Sequence, residues 1–130
     1  LGFNPLGVLP DEIGELKKLE RVDLFATELE VIPSFLWGLK DLEDLYLGDN
    51  PFDRISPEIG NLVNLKELSF FNCPNLKGIP EELVRLKNLK RLDLGENTFS
   101  DKAATERVLE QLEQSNKKIE IIRPNYRAII

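Results

Sequence analysis

Apolar positions return along this chain at a long, nearly fixed interval. Leu19, Val22, Leu24 and Thr27 set a pattern repeated by Leu42, Leu45, Leu47 and Asn50. It recurs as Leu65, Leu68, Phe70 and Cys73, and then as Leu89, Leu92, Leu94 and Asn97. The starts at 19, 42, 65 and 89 give periods of 23, 23 and 24. Within each copy the central x-L-x-L-x alternates with period two, which predicts a short strand with its leucines inward. The rest of the unit repeats too. Leu9-Pro10, Ile32-Pro33 and Ile79-Pro80 share a slot that Ile55-Ser56 fills in the remaining copy. Ile13, Leu36, Ile59 and Leu83 then align, followed by Leu16, Leu39, Leu62 and Leu86.

Such a period predicts one turn of a coil per copy, with strands stacked into a parallel sheet. Asn4, Thr27, Asn50, Cys73 and Asn97 fill one slot just past the strand. They are expected to turn inward and bond the backbone of the next coil, sparing about 1–3 kcal/mol per buried group. The prolines fix φ and open the return segment on the convex side. Gly14 and Gly60 are expected where that segment bends, in the slot held by Trp37 and Val84. The third copy has one extra residue within Cys73-Pro74-Asn75-Leu76, read as a bulged loop.

These motifs resemble the leucine-rich repeat superfamily, in its version of about 23 residues with an I-P-x-x-I/L-G-x-L segment. Small bacterial members look like this, as do plant resistance-type and Ras-scaffold-type proteins. Thr27, Cys73 and Ser56 depart mildly from the pattern, and the shorter repeats of bacterial effector ubiquitin ligases do not match. The resemblance implies an α/β fold, a curved solenoid with a concave parallel sheet, used for protein recognition. Residues 1–99 are assigned to the repeats (a partial first one, then four) and 100–130 to a C-terminal cap.

Ser100 and Asp101 are helix-capping types, and 102–115 is rich in helix formers. Ala104, Val108 and Leu112, with Leu109 beside them, predict one apolar stripe. Asn116 is expected to close the helix, and 118–123 reads as a last strand before Pro124. Helix and strand would cover the final coil, with Tyr126, Ala128, Ile129 and Ile130 folding back onto them. At the other end, Leu1 takes the slot of Leu24 and Leu47, so the chain begins inside a coil. Either further residues precede it in the natural protein, or the uncapped edge packs on another molecule, which predicts self-association through the N-terminal coil.

Composition narrows the partners. The 130 residues fit one domain, 42% hydrophobic and 31% charged, which is the balance of a folded protein. A net charge of -6 disfavours nucleic acid and anionic lipid. No apolar run approaches the roughly 18–20 residues that span a bilayer, so no membrane insertion is expected. A single cysteine excludes an internal disulfide. That suits the cytoplasm without excluding export, and with no methionine the start carries no readable targeting segment, so the compartment is unassigned.

On the concave side, Phe25, Tyr46 and Phe71 come from neighbouring strands about 4.8 Å apart and could share one aromatic patch. Asp23, Asp44, Asp49 and Glu67 surround it. An aromatic centre with a charged rim has the composition of a binding hot spot. It predicts a protein or peptide partner with basic residues beside an apolar anchor. Simple cross-strand packing of the rings is the plain alternative. Phe35 and Trp37 on the convex side form a second candidate, unless they only pack.

Enzyme chemistry lacks its parts. There is no histidine, no Gly-rich phosphate loop and no serine triad. Cys73 falls in an inward slot, where a thiol is inert. Paired carboxylates on a shallow sheet lack the enclosure that raises a carboxyl pKa. The run from Asp49 to Asp53 has Arg54 where a calcium loop needs glycine and Gly60 where it needs glutamate. No cofactor or metal is expected. The chain therefore reads as a protein-binding module; alternatively, it is a terminal structural segment of a longer protein whose binding surface lies in other repeats or another domain.

Overall fold

The structure is a computed structural model and describes residues 17–125. Expectations placed on Leu1, Asn4, Leu9, Pro10, Ile13, Gly14 and Leu16 lie outside those residues. So do self-association through the N-terminal coil and the folding back of Tyr126 to Ile130.

Each repeat contributes a three-residue strand: β1 (Arg21–Asp23), β2 (Asp44–Tyr46), β3 (Glu67–Ser69) and β4 (Arg91–Asp93). A fifth, β5 (Glu120–Ile122), completes a parallel sheet ordered β1-β2-β3-β4-β5. Register is in phase with the repeat, since Val22 pairs with Leu45, Leu45 with Leu68, Leu68 with Leu92 and Leu92 with Ile121. Hydrogen bonding runs past the strands, from Leu24 N–H to the Tyr46 carbonyl at 2.8 Å and from Leu47 N–H to that of Ser69 at 2.9 Å. Leu24, Leu47, Phe70 and Leu94 stack inside, all fully buried. On the far wall, 3-10 turns span Ser34–Gly38, Pro57–Asn61 and Glu81–Arg85. Pro33 and Pro80 precede two of them with φ of -61° and -77°. Ser56 precedes the third, its hydroxyl accepting from Glu58 N–H. Gly60 lies within the Pro57–Asn61 turn and in close approach, since a Cβ there would stand 3.0 Å from Glu82 Cβ.

The corner after each strand has a shared solution. Ala26, Asp49, Asn72 and Glu96 hold the same slot, and all take left-handed φ, between 51° and 59°. This swings the next side chain inward. Asn50 then accepts from Thr27 N–H, Thr27 Oγ1 and Leu29 N–H, and donates to the carbonyls of Leu24, Leu47 and Gly48. Asn97 does the same, accepting from Cys73 N–H at 2.8 Å and donating to the Phe70 carbonyl at 2.8 Å. The expectation that these residues bond the backbone of the next coil is corrected: Asn50, Cys73 and Asn97 reach carbonyls of the preceding one, and Thr27 bonds the Leu24 carbonyl of its own coil. The left-handed residue turns the chain so that the side chain behind it faces coils already laid down.

The extra residue of the third repeat sits in the Pro74–Asn75 turn, closed by Leu76 N–H on the Cys73 carbonyl at 3.1 Å. Helix α1 (Lys102–Ser115) starts at Asp101, whose carboxylate accepts from Ala104 N–H at 2.9 Å. Asn116 ends it, its N–H bonding the Leu112 carbonyl. The buried stripe is Thr105, Val108, Leu109 and Leu112. Thr105 thus replaces Ala104, which is half-buried, because positions 105, 108, 109 and 112 keep i, i+3, i+4, i+7 spacing. Arg123 binds Glu106 and Glu113 and so ties the end of β5 to the helix. Helix and strand together cap the solenoid.

Asn50→Ala leaves several buried backbone groups unpaired and is expected to cost about 3–5 kcal/mol, read as a fall in the urea midpoint. Exposed Asn64, which donates only to the Lys40 carbonyl, is expected to cost about 1 kcal/mol or less when changed to alanine. Ala26→Gly relieves a left-handed alanine and is expected to raise stability by about 0.5–1 kcal/mol.

Candidate functional site

Residues between and after the inward leucines point to the concave wall, and the backbone engages many of them. In the slot between the leucines, Asp23 accepts from Phe25 N–H at 3.1 Å, Ser69 from Phe71 N–H at 3.2 Å and Asp93 from Gly95 N–H at 2.9 Å. Each closes a small loop two residues long, a local use of Asp and Ser typical of turns. Asp23, expected as a rim carboxylate, is therefore a turn-forming residue.

Tyr46 occupies this slot in the second coil and turns elsewhere. Its hydroxyl donates to Glu67 of the third coil in a short hydrogen bond. The Arg21 guanidinium of the first coil stands 4.8 Å from its ring centroid, a cation–π contact. Three coils are thereby joined across the wall. Burial, then the bond to Glu67, push the Tyr46 hydroxyl up to about 12, with the charges of Asp44 and Glu67 adding and Arg21 opposing.

The two phenylalanines are held differently. A Cβ on Gly48 would lie 3.1 Å from Phe25 Cδ2, and one on Gly95 would lie 3.2 Å from Phe71 Cδ2. Each ring therefore lies over the glycine of the following coil. At Gly48 a side chain is excluded, since its Cβ would also come 2.7 Å from the Phe71 carbonyl. Ile122 continues the line, 3.5 Å from the Cβ position on Gly95. The alternation Phe25, Gly48, Phe71, Gly95 produces an apolar strip across the coils, with both rings half-buried.

Of the sequence-derived residues, Tyr46 and Glu67 meet directly, with Asp44 near enough to act on Tyr46 by charge. Phe25 and Phe71 lie on separate glycines two coils apart. Asp49 takes a left-handed conformation and accepts from the Asn72 side chain at 2.6 Å. Arg21, Asn72 and Ile122 were not singled out by sequence reasoning. The Phe/Gly alternation was visible in it, but the covering of one coil by the next depends on stacking. On the convex side Trp37 is only 5% exposed and Phe35 is half-buried against the core, so this pair packs.

Chemical groups elsewhere are quiet. Cys73 is 1% exposed, and burial pushes its thiol up to about 11. Among the described residues no three His, Cys, Asp or Glu side chains are grouped to hold a metal ion. No helix among them is long and apolar enough to cross a membrane.

A solenoid of stacked strand-and-turn coils with inward leucines and an asparagine ladder defines a class. The family model of the leucine-rich repeat region matches residues 2–127, and the chain belongs to the leucine-rich repeat family. A leucine-rich repeat protein of Leptospira interrogans superposes with a TM-score of 0.82 and 33% identity, over 97% of this chain and 31% of that one. It bears out the resemblance to bacterial members. The Arabidopsis receptor kinase HAESA, solved in complex with the peptide hormone IDA and the co-receptor SERK1, gives a TM-score of 0.69. Its identity is 29%, over 92% of this chain and 20% of that one. Adenylate cyclase of Schizosaccharomyces pombe is 33% identical over 101 residues, 78% of this chain and 6% of that protein. The chain thus spans less than a third of each of these proteins.

Tyr46 offers a direct check of this geometry. With Tyr126 changed to Phe, Tyr46 is the remaining tyrosine of two, and its tyrosinate absorbance is expected to rise with a midpoint near 12. Glu67→Gln is expected to lower that midpoint by removing the carboxylate acceptor and its charge. The folded pKa is raised from 10.0, so the stabilisation is full below that pH and is lost as pH climbs through about 12.

Proposed function

We propose that the chain is a non-enzymatic recognition module that binds a protein or peptide segment on its concave wall. The carrying observation is the pair of half-buried rings, Phe25 and Phe71, spread over bare glycines on a solvated sheet. Apolar surface of this kind, bordered by charge, suits a partner's apolar anchor. Tyr46 bonds Glu67, feels the charge of Asp44 and pairs in register with Asp23; with Asp49 completing the proposed rim, the partner would carry Lys or Arg next to that anchor. HAESA, solved with a peptide hormone, is a family precedent for a peptide ligand. Lack of histidine and a buried, poorly ionised Cys73 support the non-enzymatic reading.

A second reading rests on length. Because the chain spans 31% of the Leptospira protein and 20% of HAESA, it also fits a terminal structural segment whose longer protein binds through other repeats or another domain.

The double substitution Tyr46→Ala, Phe71→Ala separates the two. Captured partner from the source cell is expected to be lost by about 100-fold in affinity, with circular dichroism and the urea midpoint showing an intact fold. Undiminished capture by the double variant moves the binding surface off this wall and favours the second reading.

A further inference from the structure

Phe25 and Phe71 hold one slot of the repeat, two coils apart, and each ring leans in the same direction, over the glycine of the following coil. The pair is therefore spaced by two strand separations, about 9.6 Å at 4.8 Å each. The strip they form runs along the solenoid axis, across the strands. On one side stand the Asp23, Tyr46, Ser69 and Asp93 slots, and on the other Ala26, Asp49, Asn72 and Glu96. This is one side chain wide.

A partner segment must match that spacing and fit that width. A β-strand puts residues i and i+2 on one face about 6.7 Å apart, and its backbone needs hydrogen-bonding partners. The strip offers none along its length, because it runs across the strands and β2, β3 and β4 are each paired on both sides. A polyproline II helix rises about 3.1 Å per residue with three residues per turn, so i and i+3 share a face about 9.3 Å apart. Its backbone makes no internal hydrogen bonds and keeps its water when one face rests on aromatic rings.

We propose that the strip takes a basic, proline-rich peptide as a polyproline II helix lying along the solenoid axis. Apolar side chains at i and i+3 sit on the Phe25 and Phe71 rings, and flanking lysines or arginines face Asp44, Glu67 and Asp49. This rests on the concave wall being the docking surface.

Three peptides of identical composition test it: K-L-P-P-L-K, K-L-P-L-P-K and K-L-P-P-K-L, each acetylated, amidated and carrying the same fluorophore. Their leucines are spaced i+3, i+2 and i+4. Fluorescence anisotropy with the unaltered protein is expected to rank the first at least 10-fold tighter than the others. A Phe25→Ser, Phe71→Ser variant, checked for folding by circular dichroism, is expected to lose binding. Equal affinity for all three, abolished in that variant, overturns the helical register and leaves docking on the wall standing. No binding by any peptide, or binding unchanged in the variant, overturns both. The ranking on the unaltered protein decides the register whether or not the variant folds.

Discussion

A coil that closes every 23 or 24 residues must bend just after a three-residue strand, and the bend buries backbone groups that the sheet no longer pairs. The inward amide of Asn50 meets this need by linking six partners from two coils, and Asn97 repeats the arrangement two coils later. Leaving even two such groups unpaired would cost several kcal/mol, a large share of a small domain's stability. Thr27 and Cys73 are weaker holders of the same place. Thr27 donates to Leu24 and shares Asn50, while the Cys73 thiol reaches the Leu47 carbonyl at 3.6 Å. The asparagine one coil ahead of each, Asn50 and Asn97, pairs the backbone groups that these two leave open.

The same corner governs the exposed wall. A left-handed residue precedes each inward side chain, which fixes where the concave columns end. Once register is locked by Val22, Leu45, Leu68 and Leu92, every outward side chain has a set neighbour one coil away. Phe25 then meets a glycine and Tyr46 meets a glutamate. A glycine stands where each ring from the previous coil lies down, so the proposed recognition surface and the packing are one construction. Outside this wall a separate set of asparagines, Asn64 and Asn88, bonds carbonyls of the preceding coil from exposed positions, reinforcing the stack without shaping the strip.

Family membership adds a fold and a habit of binding, and the residues of this chain give that habit a chemical content. The acidic rim is smaller in effect than a count of its carboxylates suggests. Asp23 and Asp93 serve backbone amides, Glu67 holds Tyr46, and Glu120 pairs with Arg91 at 3.1 Å. At exposed positions an ion pair with a cationic neighbour is worth at most about 1 kcal/mol. On the proposed docking reading, the apolar strip is then the stronger determinant of the partner.

The repeat, the strands, the inward leucines, the helix at 102–115 and its Asp101 cap were all legible in the sequence. Each follows from short-range rules: period-two alternation, 3.6-residue spacing and capping chemistry act over a few residues. Which coil an inward asparagine serves, and that Thr105 instead of Ala104 faces the core, were not legible. Nor was the laying of Phe25 on Gly48 and Phe71 on Gly95, or the bond from Tyr46 to Glu67. These contacts join residues about one coil apart in sequence, and they exist only after stacking fixes direction, register and the left-handed corners. Local pattern selected the coil; the packing of one coil on the next decided which side chains meet.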